Sequence, residues 1–127
     1  MEATANFTRG TDVRTNAPLA HIPPMFGRVA AERTWDWLSM EAHILWSGRK
    51  AAEAYGPGAT DNLAEALPTG NPAWWTLGVD CEGRLTERMT VAAGVHNILD
   101  RHYKVFASGI SAPGRDFRCS LRWRPST

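Results

Sequence analysis

"DFRCSLRWR", residues 116–124, alternates without a break. Phe117, Cys119, Leu121 and Trp123 fall on one side of an extended chain, and Arg118, Ser120, Arg122 and Arg124 on the other. Period two is the signature of a β-strand, and a wholly polar face is a face that meets water. The pattern recurs upstream. In "MTVAAGVHNIL", 89–99, Met89, Val91, Ala93 and Val95 oppose Thr90, Ala92, Gly94 and His96. In "WWTLGVDCEG", 74–83, Trp75, Leu77, Val79 and Cys81 oppose Thr76, Gly78, Asp80 and Glu82. The link between them, "GRLTER" at 83–88, is short and polar, as a hairpin requires.

Two readings stand side by side for "TWDWLSMEAHILWSG", 34–48. As a strand it sets Leu38, Met40, Ala42, Ile44 and Trp46 against Trp37, Ser39, Glu41, His43 and Leu45. Leu38, Ala42 and Leu45 also fit helical spacing, and "MEAHIL" is a good helix former. "GRVAAER", 27–33, sets Val29 and Ala31 against Arg28, Ala30 and Glu32, and a polar corner at Thr34 to Asp36 predicts a hairpin with the segment after it. Residues 11–24, 48–73 and 97–117 read as long connections, with a helical turn expected near 61–67. In the last of these, Pro113 fixes one dihedral and Gly114 relaxes the next. Connections thus run long, short, long, short, long. Short turns at one end and long loops at the other are what an up-and-down outer-membrane barrel shows. The fold class expected is all-β: an antiparallel meander of about six strands, one open section of a transmembrane β-barrel.

At 127 residues the chain is long enough for one domain and too short for two. Fourteen basic and 13 acidic residues leave a net charge of +1, which gives no electrostatic case for nucleic acid. An apolar content of 43% argues against disorder, and six Trp with 11 Gly and eight Pro lean towards a β-rich, turn-rich chain. No apolar run approaches the roughly 18 residues of a membrane helix. "EATANFTRG" after Met1 has neither a basic start nor an apolar segment, so no signal peptide is expected in this stretch.

Periodicity alone does not say what the apolar face touches. A soluble β-rich or α+β binding module turns it inward, with 30–55 as a helix covering the sheet. A barrel turns it out to lipid and its polar face in to a wet lumen. Trp35, Trp37, Trp46, Trp74, Trp75 and Trp123 all lie near predicted strand ends, as membrane-interface girdles do.

"GVHNILDRHYKVFASGISAPGRDFRCSLRW" resembles the closing segment of TonB-dependent outer-membrane receptors. In that family the penultimate strand runs into an Asn-aliphatic-x-Asp stretch followed by Tyr, then a loop and a Pro-Gly-Arg turn lead into the last strand. The matching residues are Gly94, Asn97, Ile98, Asp100, Tyr103, Pro113, Gly114, Arg115 and Phe117. "PLAHIPPMFGRV", 18–29, is similar to the family's Leu-x-x-Ile-Pro-Pro-x-x-Gly approach to an earlier strand, here through Ile22, Pro23, Pro24 and Gly27. The likeness covers residues 10 to 124. It implies the C-terminal part of a barrel of 22 strands around a plug, with 1–127 as one partial domain. The partners implied are membrane lipid, the remaining strands and plug of a parent receptor, and the TonB complex through an N-terminal part. The whole machine imports scarce solutes such as iron chelates, haem or cobalamin, so this segment by itself is not expected to transport. The family ends on an aromatic residue; here Pro125 follows Trp123 and Arg124, a departure at the assembly signal.

No enzyme is expected. "GISAPG" has Pro113 where a nucleophile elbow needs its second glycine. Asp80 and Glu82 share a face but read as a solvated pair rather than an acid–base couple. His21, His43, His96 and His102 are scattered over different segments, so neither metal nor cofactor is expected. Cys81 and Cys119 sit on strands separated by a third, about 9.6 Å apart, too far for a disulfide. Both are expected as free thiols facing lipid. Arg118, Arg122 and Arg124 are expected to line the lumen.

Overall fold

The structure, a computed structural model, describes residues 1–56 and 67–125. Six strands form one sheet in chain order: β1 Glu2–Asn6, β2 Phe26–Thr34, β3 Leu38–Ser47, β4 Trp74–Thr86, β5 Met89–His96 and β6 Asp116–Trp123. Every neighbouring pair is antiparallel, so the sheet is an open up-and-down meander. The ambiguity at 34–48 resolves as strand. Its alternating apolar positions gain partners on both sides, from β2 and β4, and paired strands outweigh a local helical preference.

Two boundaries shift. β4 runs past Gly83 to Thr86, with an irregularity between Arg84 and Thr86, so the hairpin turn is only Glu87 and Arg88. β5 ends at His96 rather than continuing through Leu99, because Asn97 takes a φ of 48° that no strand accommodates. β1 went unlocated in the sequence: Ala3 and Ala5 carry almost no strand signal, and only pairing with β2 orders them. The helical turn expected near 61–67 lies, apart from Leu67, outside the described residues. A single 3₁₀ turn, Ala52–Ala54, opens the β3–β4 connection.

Register stacks like with like. Trp46 faces Trp75, Ile44 faces Leu77, Met40 faces Cys81, and Cys81, Ala93 and Cys119 form one row. On the opposite side Arg28, Glu41, His43, Asp80, Thr90, Arg118 and Arg122 share the polar face with Thr76 and Ser47. Burial is inverted relative to a soluble domain. Among the described residues only Ala30, Tyr55 and Phe106 are buried apolar groups, whereas His43, Ser47, Lys50, Asn71, Thr76 and Asn97 are buried polar ones. Apolar side chains of the sheet stay open, Phe117 at 71%, Leu121 at 60% and Trp123 at 65% exposure. No helix among the described residues is long and apolar enough to cross a membrane.

The three long connections gather at one end of the sheet. Tyr55 packs near Phe106 with ring centroids 6.2 Å apart, and the Tyr55 hydroxyl donates to the Leu67 carbonyl at 3.0 Å. Lys50 is buried between them: its ammonium donates to the Ile22 carbonyl and lies 4.4 Å from the Phe106 ring centre. Burial pulls the Lys50 pKa below the ordinary lysine value and pushes the Tyr55 phenol up.

Candidate functional site

The residues singled out by sequence separate into a loop tie and a scattering of strand positions. Asn97 and Asp100 build the tie. The Asn97 amide donates to the Arg101 carbonyl at 2.8 Å and accepts from the Arg101 N–H at 3.0 Å. Asp100 accepts from the Arg115 N–H at 2.8 Å, and the Arg115 guanidinium donates to the Ile98 carbonyl at 2.9 Å. Pro113 offers its carbonyl to Asn97, and a side chain on Gly114 would collide with the Asp100 carboxylate. Tyr103 stacks on Trp74 at 4.3 Å between ring centres. These residues hold the 97–115 loop against the ends of β4 and β6; they bring no reactive groups together.

Ile22, Pro23 and Pro24 lie in the first long connection, where they line a cavity of about 520 Å³ with Phe7, Gly10 and Lys50. Gly27 sits on the apolar face, and the Trp46 indole covers it. Gly94 is on the polar face of β5. Phe117 is the first apolar-face residue of β6. Arg118 and Arg122 lie on the polar face opposite Gly94 and Thr90, and Arg118 pairs with Asp116 at 2.6 Å. Arg124 stands just beyond β6, its N–H donating to the Arg88 carbonyl at 3.0 Å. Cys81 and Cys119 are free thiols.

The sheet brings together what the sequence left apart. His43 on β3 and His96 at the end of β5 meet edge to face, ring centres 5.3 Å apart. Asp80 on β4 lies between them: His96 Nε2 is 2.9 Å from Asp80 Oδ1, and His43 Nδ1 is 3.4 Å from Asp80 Oδ2. Glu41 Oε1 is 3.3 Å from the same Nδ1 and also accepts from Arg28. Two glycines make room. A Cβ on Gly78 would enter the His43 imidazole, and one on Gly94 would enter the Asp80 carboxylate. The expectation that the histidines stay scattered therefore fails for His43 and His96. Asp80 and Glu82 do share the polar face, but Asp80 is engaged by the histidines while Glu82 is exposed opposite Ser39 and Ala92. Part of this was readable. Glu41 and His43 share a face two residues apart, and the tight β4–β5 hairpin sets Asp80 opposite Gly94, two residues from His96.

The apolar face has its own geometry. Trp46 and Trp75 form one aromatic row near the long-loop end, and Trp123 marks the short-turn end with Trp35 and Trp37 in the neighbouring hairpin. From Trp75 to the Cys81 row is six positions, and from Cys119 to Trp123 four more. That is about 33 Å of strand. Strands tilted by about 40–45° reduce it to about 25 Å, the height of the apolar band of an outer-membrane barrel.

No protein-family model matches the chain, and no curated protein matches it in sequence. Among solved structures the fold is similar to that of the copper transporter OprC, with a TM-score of 0.79 at 16% identity over 95% of this chain. The chain spans 20% of the length of that protein. At that identity the likeness establishes the fold: six meandering strands superposable on part of a transporter's β structure.

Proposed function

We propose that the chain is the C-terminal barrel section of a TonB-dependent outer-membrane receptor, one that takes up a scarce solute with energy supplied through TonB. The observation that carries this reading is the uncovered apolar face. β2 to β6 present Val, Leu, Ile, Met, Phe and Trp side chains in register, and among the described residues nothing covers them. A soluble module would bury that face under a helix from 30–55, and that segment instead holds the end of β2, the whole of β3 and a single 3₁₀ turn. In this reading the apolar face meets lipid, and the polar face, with Arg118, Arg122 and Arg124, lines the lumen against a plug. The open edges of β1 and β6 pair with further strands of the complete barrel, which satisfies backbone groups that lipid leaves unpaired. Transport belongs to the assembled receptor.

Brominated lipid quenches tryptophan fluorescence on contact and so tests the orientation of the sheet. In vesicles carrying the full chain, Trp46→Phe, Trp75→Phe and Trp123→Phe are each expected to reduce the quenchable signal. Trp74→Phe, which removes the ring stacked on Tyr103 on the polar side, is expected to leave it unchanged. A folded monomer in detergent-free buffer, or equal quenching of Trp74, overturns the proposal.

A further inference from the structure

We propose a divalent transition-metal site on the polar face, with Glu41, His43 and Asp80 as ligands and His96 holding Asp80 from outside. It rests on the strand register and on the side-chain geometry of the polar face, and stands or falls separately from the receptor reading. Three donor atoms, one from each ligand residue, lie within 4.8 Å of one another. The His43 side chain is only 7% exposed, yet its Nδ1 makes no hydrogen bond. Buried polar atoms are almost always satisfied. This one points between two carboxylate oxygens at 3.3 and 3.4 Å, aligned for bonding to neither.

A metal ion explains that arrangement. Bonds of about 2.0–2.1 Å to imidazole nitrogen and carboxylate oxygen put neighbouring tetrahedral ligands about 3.3–3.4 Å apart. That is the spacing from Nδ1 to each oxygen; the two carboxylate oxygens, within 4.8 Å of each other, would close to the same spacing around the ion. Asp80 would bind through Oδ2, because Oδ1 is already held by His96 at 2.9 Å. Such an outer partner orients a ligating carboxylate. Water would complete the coordination, reaching the carboxylates through a cavity of about 410 Å³ lined by Glu41, Asp80, Gly94, Arg118 and Ser120. One imidazole with two carboxylates suits zinc, cobalt, nickel or copper(II). The soft thiolates that would select copper(I) are on the opposite face, in the Cys81–Ala93–Cys119 row. Arg28, bound to Glu41 Oε1, is the cation that the metal displaces.

The full chain, folded in detergent micelles and titrated calorimetrically with zinc, is expected to bind one ion. Cobalt(II) in its place is expected to give the strong visible absorption of a four-coordinate site. Asp80→Asn and His43→Gln should each weaken zinc binding at least about a hundredfold, and His96→Gln by about 10–100-fold. Arg28→Gln should tighten binding by about fivefold, because it removes the competing cation. A purely structural ion-pair network predicts the opposite for Arg28→Gln: lower stability and no gain in affinity. His102→Gln is expected to bind as the parent does. His43→Gln alters a buried residue and can unfold the sheet, so Asp80→Asn and Arg28→Gln carry the test independently, with far-ultraviolet circular dichroism as the check on folding. Absence of zinc binding by the parent chain, unchanged affinity in Asp80→Asn, or weaker binding in Arg28→Gln overturns the proposal.

Discussion

Replacing Asn97 asks whether the 97–115 loop is held by hydrogen bonds and backbone conformation rather than by apolar burial. Asn97 is 4% exposed with a φ of 48°. Its side chain makes two well-formed bonds, both to the Arg101 backbone, at 2.8 and 3.0 Å, and a longer one to Pro113 at 3.4 Å. Asn97→Ala removes them all. At about 0.5–1.5 kcal/mol for each of the two good bonds, the loss is about 1–3 kcal/mol. Alanine also lacks asparagine's tolerance of the left-handed region, which adds about 1 kcal/mol. The expected total is about 2–4 kcal/mol. Asn97→Gly loses the same bonds without the conformational cost, so about 1–3 kcal/mol is expected. The order is diagnostic, because alanine outperforms glycine at ordinary strand and helix positions. Urea unfolding of the full chain in micelles, followed by tryptophan fluorescence, measures both variants. A cost for Asn97→Ala below about 0.5 kcal/mol, or a glycine variant less stable than the alanine one, refutes the reasoning.

Gly78→Ala puts a methyl group where the His43 ring lies, so it should destabilise the sheet by about 1–3 kcal/mol and weaken zinc binding without removing a donor atom. Gly83→Ala meets only ordinary contacts, with Leu38 at 3.7 Å and Trp37 at 3.8 and 4.0 Å, and should behave as the parent in both assays. Lys50 gives a pH dependence. Its pKa is lower in the folded chain than the ordinary 10.5, so the unfolded chain binds the proton more tightly and stability rises as pH climbs towards that value. Tyr55, with its pKa raised by burial, acts in the other sense above about pH 10. Urea midpoints in a Tyr55→Phe background should therefore increase as pH climbs towards 10.5, and the added change Lys50→Met should flatten that slope.

In the 97–115 junction Pro113 and Gly114 were legible because turn chemistry is local. Asn97, Asp100 and Arg115 were singled out only through the family resemblance, and the left-handed backbone at Asn97, where the alternation had suggested strand, emerged only in the fold. The metal-ligand set was not legible in the same way. Glu41 and His43 belong to β3 and Asp80 to β4, and the link between those strands covers residues 48–73. A long link leaves the register free, and a slip of one residue would move Asp80 to the other face. The short β4–β5 turn constrains its own pair far more tightly, which is why Asp80 and His96 were the recoverable half.

By itself the sequence determined the alternation of faces, the existence and order of β4 to β6 and the sequence of long and short connections. Each follows from period two and from turn chemistry, which act over a few neighbouring residues. The tertiary structure alone decided that Leu38–Ser47 is strand, that Glu2–Asn6 joins the sheet, and that the apolar face stays uncovered among the described residues while His43 is buried between Glu41 and Asp80. These depend on which strands lie side by side and in what register. That information resides in pairings across long loops, where closure costs entropy that only the completed ladder and its cross-strand contacts repay.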